Sequence, residues 1–136
     1  MMLLTEANGL PVGVQLHSAS PAEVKLIRPL LRCCRRKTSR SKRLVYDKAA
    51  DSAQLREQIR WHGLRLIAPY RRRRNETRAR RLLARDQAYY KLRYQVERCF
   101  AWMTHFRRLN VRWEYHWHLF EGFWQLACMF TILKRL

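Results

Sequence analysis

Two carboxylates in this sequence have the chemistry of metal ligands, and Glu97 is the one with the more suggestive neighbours. Within the stretch Tyr89–Arg108, Tyr90, Arg93 and Glu97 stand at i, i+3 and i+7, so a helix would stack them along one line beside an apolar stripe. The plain alternative is a surface Glu on a basic helix, with Arg93 as its i−4 ion-pair partner. The spacing alone leaves both interpretations open.

The second carboxylate, Asp47, directly follows the short apolar run Leu44–Tyr46. We expect that run to be a strand, which puts Asp47 at a strand's carboxyl end, where open α/β sheets bind ligands. Paired Asp and Glu side chains close to many arginines suit two Mg²⁺ ions and phosphoryl transfer. The sequence holds none of the G-x-S-x-G, P-loop, dinucleotide-binding or H-E-x-x-H patterns that would favour another reaction.

The charge of the chain is extreme. With 29 Lys and Arg against 10 Asp and Glu, the 136 residues carry a net charge of +19 and a pI near 11.1. Such a balance predicts a polyanionic partner, because basic side chains gain affinity by releasing counterions from phosphates. Nucleic acid is the first candidate and an acidic membrane surface the weaker one.

The cysteines and the apolar segments favour a cytoplasmic protein without a membrane partner. The four cysteines show neither finger spacing nor a CxxC pair, which indicates reduced thiols. The N-terminus lacks the basic region of a signal peptide. The run Leu119–Leu133 is short and contains Glu121 and Gln125, so we expect a buried helix rather than a membrane span.

The elements that would position the two carboxylates alternate between strand and helix, which predicts an α/β fold in one domain over residues 1–136. Asn8-Gly9 is a turn signal before a strand at Leu10–Leu16, and we expect its hairpin partner to be missing. A helix would follow, with Ser20 as its cap and Pro21 as its first residue. A second helix is predicted at Ser52–His62, with Leu55 and Ile59 on its apolar face, Trp61 as a further candidate for that face and Gly63 as its C-cap. The remaining predicted elements are a strand Leu64–Pro69, the central helix Tyr89–Arg108 and an apolar helix Leu119–Leu136. Asp51 is expected to be structural, and either it or Ser52 would cap the second helix.

Two segments are too basic for a core. Residues 32–43 hold seven Lys and Arg, which predicts a solvated loop and a candidate phosphate contact. Residues 71–85 hold eight arginines, which predicts an exposed electrostatic arm.

Several stretches resemble the DDE transposases of bacterial insertion sequences, of the insertion-sequence-five type within the insertion-sequence-four superfamily. VYDKAADSAQLREQI is similar to the family's Asp-Lys-Ala-Tyr-Asp-Ser segment, and YKLRYQVERCFAW with FRRLN matches its Tyr-x2-Arg-x3-Glu signature and trailing Arg-Arg-Leu. ANGLPVGVQLHSASPAEVKLI and LRLIAPYRRRRN resemble the family's other strands in the same order. The resemblance therefore covers nearly the whole chain.

This resemblance implies an RNase H-like catalytic core followed by C-terminal helices, and DNA strand cleavage and transfer as the reaction of the complete enzyme. It assigns Asp47 and Glu97 as catalytic residues and ligands of Mg²⁺ or Mn²⁺. It also implies that DNA is contacted by Tyr90, Arg93, Arg98, Arg107 and Arg108. The DNA partners would be insertion-sequence ends and target DNA at the bacterial nucleoid, and the complete enzyme could be a homo-oligomer.

The sequence also departs from the family's pattern. The family's first catalytic Asp lies upstream of the hairpin, and the aspartates here are Asp47, Asp51 and Asp86. We therefore expect an N-terminally truncated or frameshifted part of the enzyme, which alone would bind DNA without cleaving it. Ala50 stands where the family usually has Tyr, and Tyr46 where it has a small residue. The alternative is a basic nucleic-acid-binding protein without catalysis.

Overall fold

The computed structural model describes residues 1–18, 20–34, 43–72, 74 and 80–135, and the chain divides into two compact units. One unit, the hairpin unit, comprises Met1–Lys37 and Tyr94–Leu136. The other, the parallel unit, comprises Thr38–Arg93. Both contain helices and strands, which confirms the predicted α/β composition, and the described strands form two separate two-stranded sheets.

The hairpin unit begins with a strand, the hairpin partner that was predicted to be missing. Strand β1 (Met2–Thr5) pairs antiparallel with β2 (Pro11–Gln15), so that prediction was wrong. The turn lies at Asn8-Gly9 as expected, and Gly9 has a φ of +87°, a conformation that glycine adopts without steric cost. Met2 is buried, so the apolar start of the chain supplies the partner strand.

Helix α1 (Glu23–Cys33) begins later than its sequence predicted. Its N-cap is Ala22, which makes no side-chain capping bond, so the assignment of Ser20 as the cap was wrong. Ala22 is still extended at φ −59° and ψ 133°, and the Pro21 ring is therefore outside the helix. The buried face consists of Leu26, Ile27, Leu30 and Leu31.

Helices α4 (Tyr94–Met103), α5 (Arg107–Asn110) and α6 (Trp117–Leu133) complete the hairpin unit. Cys99 and Met103 belong to the apolar stripe predicted within Tyr89–Arg108. They have no exposed surface and pack against one face of α6. The core cluster consists of Val14, Cys99, Met103, Leu109, Trp124, Ala127 and Cys128. The last helix was predicted to be buried, and only one face of it is: Trp124, Ala127 and Cys128 are buried, whereas Met129, Phe130 and Leu133 stay more than half exposed.

The central helix is interrupted. Helix α3 (Ala84–Tyr90) is followed by a 3₁₀ turn, Lys91–Arg93, before α4 begins at Tyr94, and α4 ends at Met103. One continuous helix over Tyr89–Arg108 was therefore a wrong prediction. A 3₁₀ turn has 3.0 residues per turn rather than 3.6, so Tyr90, Arg93 and Glu97 do not share one α-helical line.

In the parallel unit, β3 (Arg43–Val45) and β4 (Arg65–Ile67) pair in parallel, with Leu44 opposite Leu66. The connection contains a 3₁₀ turn, Lys48–Ala50, and helix α2 (Ala53–Trp61), which together form a β-α-β unit. Ser52 caps α2 by accepting a hydrogen bond from the Leu55 amide at 3.4 Å, and Gly63 after it has a φ of +74°. Leu55 and Ile59 are buried as predicted, whereas Trp61 is 84% exposed.

The two predicted basic segments lie only partly within the residues that the structure describes. Residues 35–42 of the basic loop, and residues 73 and 75–79 of the arm, lie outside the part of the chain that the structure describes. The four cysteines are reduced thiols and not disulfide partners, as expected. No described helix combines the length and the apolar character that crossing a membrane requires.

Candidate functional site

Asp47 lies where the sequence placed it, at the carboxyl end of β3. The Tyr46 amide still donates to the Ile67 carbonyl at 3.0 Å, so the parallel pairing continues to the residue before it. The half-buried Asp47 then caps the 3₁₀ turn, its Oδ1 accepting from the Ala49 amide at 2.8 Å. This bond fixes the direction of the carboxylate while leaving it a second oxygen.

A charged network braces the segment that carries Asp47. The Arg56 guanidinium donates to Asp51 Oδ1 at 2.9 Å and to two carbonyls at the end of β4, those of Leu66 at 3.2 Å and Ala68 at 2.8 Å. The same guanidinium carbon lies 4.6 Å from the centre of the Tyr70 ring. One cation thus joins α2, the Asp51 loop and the strand end beside β3.

Arg71 extends this network to the residue next to Asp47. Its backbone amide donates to Asp51 Oδ2 at 2.6 Å, and its Nε donates to the Lys48 carbonyl at 3.1 Å. The structural role predicted for Asp51 is therefore confirmed. Of the two predicted candidates, Ser52 is the N-cap of α2. Arg71 was predicted to lie in an exposed arm, because a contact with a carbonyl 23 residues away leaves no local signal in the sequence.

Acid should weaken this brace in a predictable direction. Burial by itself raises the pKa of Asp51, but the Arg71 amide and the Arg56 hydrogen bond and charge outweigh burial and hold its pKa below the usual 3.8. A carboxylate with a lower pKa in the folded state stabilises the fold above its unfolded pKa and loses that contribution as the pH falls through the folded pKa. We expect Asp51→Asn to reduce the free energy of unfolding near neutral pH and to flatten the loss below about pH 4.

Denaturant titrations monitored by circular dichroism, from neutral to acidic pH, check this expectation. Glu57→Gln, at an exposed position on the same helix, is the matched control and should leave the pH profile unchanged. An Asp51→Asn profile that runs parallel to that of the wild type at every pH would contradict the prediction.

Glu97 lies in the first turn of α4, with its side chain exposed, while Cys99 and Met103 on the same helix face the core. An acidic residue in a first turn is favoured by the helix dipole. Helix α4 is held against α6 by an edge-to-face contact between Phe100 and Trp124, with ring centres 6.5 Å apart. The carboxylate therefore stands on the outer face of a helix whose inner face is packed.

Two of the cations predicted to contact DNA, Arg93 and Arg98, lie over aromatic rings. The Arg93 guanidinium carbon lies 5.9 Å from the centre of the Tyr90 ring, so the structure brings these two predicted residues together. Arg98 lies 5.5 Å from the Tyr94 ring and 5.4 Å from the Trp102 ring. A ring face orients a guanidinium and leaves its N–H groups at the edge for other acceptors.

Arg107 and Arg108 differ from each other although both are exposed. Arg107 is the first residue of α5. Arg108 donates to Glu114 Oε1 at 2.8 Å and lies 5.3 Å from the Phe123 ring. Burial alone raises the pKa of Glu114, but backbone hydrogen bonds and Arg108 lower it below its usual value. Glu114 therefore offsets the charge of Arg108, a pairing that sequence reasoning missed.

Sequence reasoning also missed the buried carboxylate of Asp86. Asp86 on α3 is 4% exposed and pairs with Arg65 of β4, while its Oδ1 has no hydrogen-bond partner. The two residues are 21 positions apart, so no local spacing announced the pair. This pair ties α3 to the parallel sheet.

Asp47 belongs to the parallel unit and Glu97 to the hairpin unit. Within the described residues, no three His, Cys, Asp or Glu side chains come close enough together to hold a metal ion. Asp and Glu oxygens are nevertheless the donors that Mg²⁺ and Mn²⁺ prefer. The chemistry of these two side chains therefore fits the metal that the resemblance implies.

Comparison with known proteins identifies the family. The family described as "Transposase DDE domain" matches residues 1–132. The chain belongs to this family. It is also 30% identical over 133 residues to a Burkholderia cepacia protein named "Putative transposase for insertion sequence element IS402". That match covers 93% of this chain and 58% of the relative, so the chain spans little more than half of the relative's length. No solved structure matches the chain significantly.

Proposed function

We propose that this DDE-domain chain acts in the transposition of a bacterial insertion sequence, of the insertion-sequence-five type within the insertion-sequence-four superfamily. The observation that carries the proposal is the family match over residues 1–132. The substrates would be the ends of the element and its target DNA, at the nucleoid. The net charge of +19 supports a DNA partner through counterion release.

The fold in this proposal is an RNase H-like core with C-terminal helices. The antiparallel hairpin, followed by α1, β3, α2 and β4, is in keeping with such a core. The parallel β3–β4 pair supplies the strand end at which Asp47 stands. We therefore propose residues 1–136 as one part of a DDE domain, with the basic arm at about residues 71–85.

Asp47 and Glu97 are proposed as two of the metal-binding carboxylates of the complete enzyme. Asp47 would be presented by the 3₁₀ turn it caps, and Glu97 by the outer face of α4. When bound, Mg²⁺ or Mn²⁺ would supply a nucleophile activated at neutral pH and stabilise charge on the phosphoryl oxygens. The protein's own contribution is to hold the carboxylates: Asp51, Arg56 and Arg71 brace the Asp47 loop, and Trp124 holds α4.

DNA phosphates are proposed to lie against Tyr90, Arg93, Arg98 and Arg107, with Arg108 contributing less because Glu114 offsets its charge. This ranking can be measured on the chain itself, by fluorescence anisotropy with duplex DNA and EDTA present. We expect Arg107→Gln to weaken binding several-fold and to lower the slope of log K against log salt by about 1. Arg108→Gln should change the slope by less. Equal effects of the two changes would contradict the ranking.

Cleavage is tested in a chimera that joins this chain to the part of the Burkholderia cepacia relative that lies outside the match. We expect the chimera to nick DNA that carries the element's ends when Mg²⁺ or Mn²⁺ is added, and to stop when EDTA is added. Metal-dependent cleavage by the 136-residue chain alone would overturn the proposal that the site is shared with another part of the domain. A folded chimera that binds the ends but never cleaves would favour a non-catalytic DNA-binding protein.

A further inference from the structure

The segment Val111–His118, which joins α5 to the first turn of α6, presents three large aromatic side chains to solvent. Trp113 is 74% exposed, Tyr115 91% and Trp117 57%. We call this stretch the aromatic segment. Exposed clusters of large rings are unfavourable in water and commonly mark binding surfaces. Neither the proposed metal ligands nor the proposed phosphate contacts lie within it.

The backbone of the aromatic segment is held in place by Arg112. Its Nε donates to the Glu114 carbonyl at 2.9 Å, and its Nη2 donates to the Tyr115 carbonyl at 2.7 Å. The Glu114 side chain is held in turn by Arg108 at 2.8 Å. The rings are therefore displayed by a braced loop, which lowers the entropy lost when a ligand binds.

The rings of the segment also contact one another. Tyr115 meets His116 edge to face with centres 5.1 Å apart, and His116 stacks on His118 at 5.4 Å and 25°. Trp117 meets His118 edge to face at 6.3 Å. These contacts make a continuous aromatic surface from Tyr115 to His118, and the exposed Trp113 ring lies two residues before it in the chain.

The charges around this surface favour a nucleic acid over a protein as its ligand. Arg107 precedes the segment and Arg112 lies within it. The single carboxylate of the segment, Glu114, is already paired with Arg108. Aromatic rings interleaved with cations are typical of proteins that bind single strands, where bases stack on the rings and phosphates meet the cations. In duplex DNA the base faces are covered by their neighbours, so stacking requires unpaired bases.

We propose that the aromatic segment binds unpaired DNA bases by stacking on Trp113, Tyr115 and Trp117. This inference rests on the proposed DNA partner, but it does not depend on metal binding or on cleavage. It assigns a single-strand subsite to a part of the chain separate from Asp47 and Glu97. Strands whose bases become unpaired near a cleavage point would be its ligands.

The test measures binding of the full chain, with EDTA present, to three labelled probes of equal length: an oligothymidine strand of about 20 nucleotides, an abasic strand and a duplex. The abasic strand keeps the phosphates and lacks the bases. We expect the wild type to prefer oligothymidine to the abasic strand. Trp113→Leu and Tyr115→Leu should each weaken oligothymidine binding by about 10-fold and leave the other two affinities within twofold.

Trp61→Leu is the matched control, since Trp61 is 84% exposed in the parallel unit, and it should change none of the three affinities. Circular dichroism melts verify that each variant is folded. If Trp113→Leu does not fold, Tyr115→Leu, at the more exposed position, tests the inference instead. Equal wild-type affinity for oligothymidine and abasic strands would overturn the inference. So would variants that alter the oligomeric state in light scattering without altering DNA affinity, because that result identifies a protein interface.

Failure of this inference and failure of the proposed function are distinguishable. If the chain prefers oligothymidine but the chimera never cleaves DNA, the stacking surface is supported and the proposed catalysis is not. A cleaving chimera whose chain shows no preference for bases has the opposite meaning.

Discussion

Asp47→Asn and Glu97→Gln are each expected to reduce metal-dependent DNA cleavage by the chimera at least about 1,000-fold, equivalent to about 4 kcal/mol of transition-state stabilisation. Both changes keep the size of the side chain and remove the negative charge that a divalent cation requires. Binding of the DNA ends should stay within about twofold, because phosphate contacts come from cations elsewhere. Gel-based cleavage assays alongside anisotropy measurements separate the two effects.

The matched control for these variants is Glu57→Gln, which removes a charge from an exposed position on α2 and should leave cleavage unchanged. If Asp47→Asn and Glu97→Gln lowered cleavage only as much as this control, the two carboxylates would be ordinary polar residues. If they instead abolished DNA binding, their role would be structural, because a metal ligand acts on the chemical step.

Trp124→Ala should lower the free energy of unfolding by about 3–5 kcal/mol, the range typical of removing a large buried aromatic side chain. Trp124 is 5% exposed in the core cluster of the hairpin unit and meets both Phe100 of α4 and Phe120 edge to face. The change would leave a cavity between α6 and the helix that carries Glu97. Urea unfolding followed by circular dichroism measures the loss.

Trp124→Phe should cost far less than the alanine variant. The Trp124 Nε1 is buried without a hydrogen-bond partner, so phenylalanine keeps a ring and removes an unsatisfied donor. We expect a cost of about 1–2 kcal/mol from the lost ring volume, partly offset by the removed donor. Equal losses for the two variants would contradict this expectation, because both variants remove the indole nitrogen and only the phenylalanine variant keeps a ring in the core.

Local patterns were sufficient wherever the contacts that decide a structure are close in sequence. The strand before Asp47, the buried Leu55 and Ile59, and the turn at Asn8-Gly9 all follow from spacing and turn chemistry within a few residues. Cys99 and Met103 are buried for the same reason, since they stand four positions apart on one helix face. The position of Asp47 at a strand end therefore needed no tertiary information.

The wrong predictions have physical causes. The apolar period of Tyr89–Arg108 continues through Lys91–Arg93, so the pattern could not show that the backbone tightens there into a 3₁₀ turn. The four residues of β1 are too short a run to announce a strand, and their pairing with β2 decides it. Trp61 and the outer face of α6 remain exposed because burial depends on neighbouring elements and not on side-chain chemistry alone.

The sequence by itself determined the net charge, the family and the strand end that carries Asp47, because composition and short-range periodicity express these properties directly. Only the tertiary structure decided which charged side chains pair with one another inside the folded chain. Arg56 and Arg71 brace the Asp51 loop, Arg65 covers Asp86, and Arg108 is offset by Glu114. Among 29 cations and 10 acids, the pairs that form depend on which side chains the packed elements bring within hydrogen-bond distance, and that distance is a property of the folded chain.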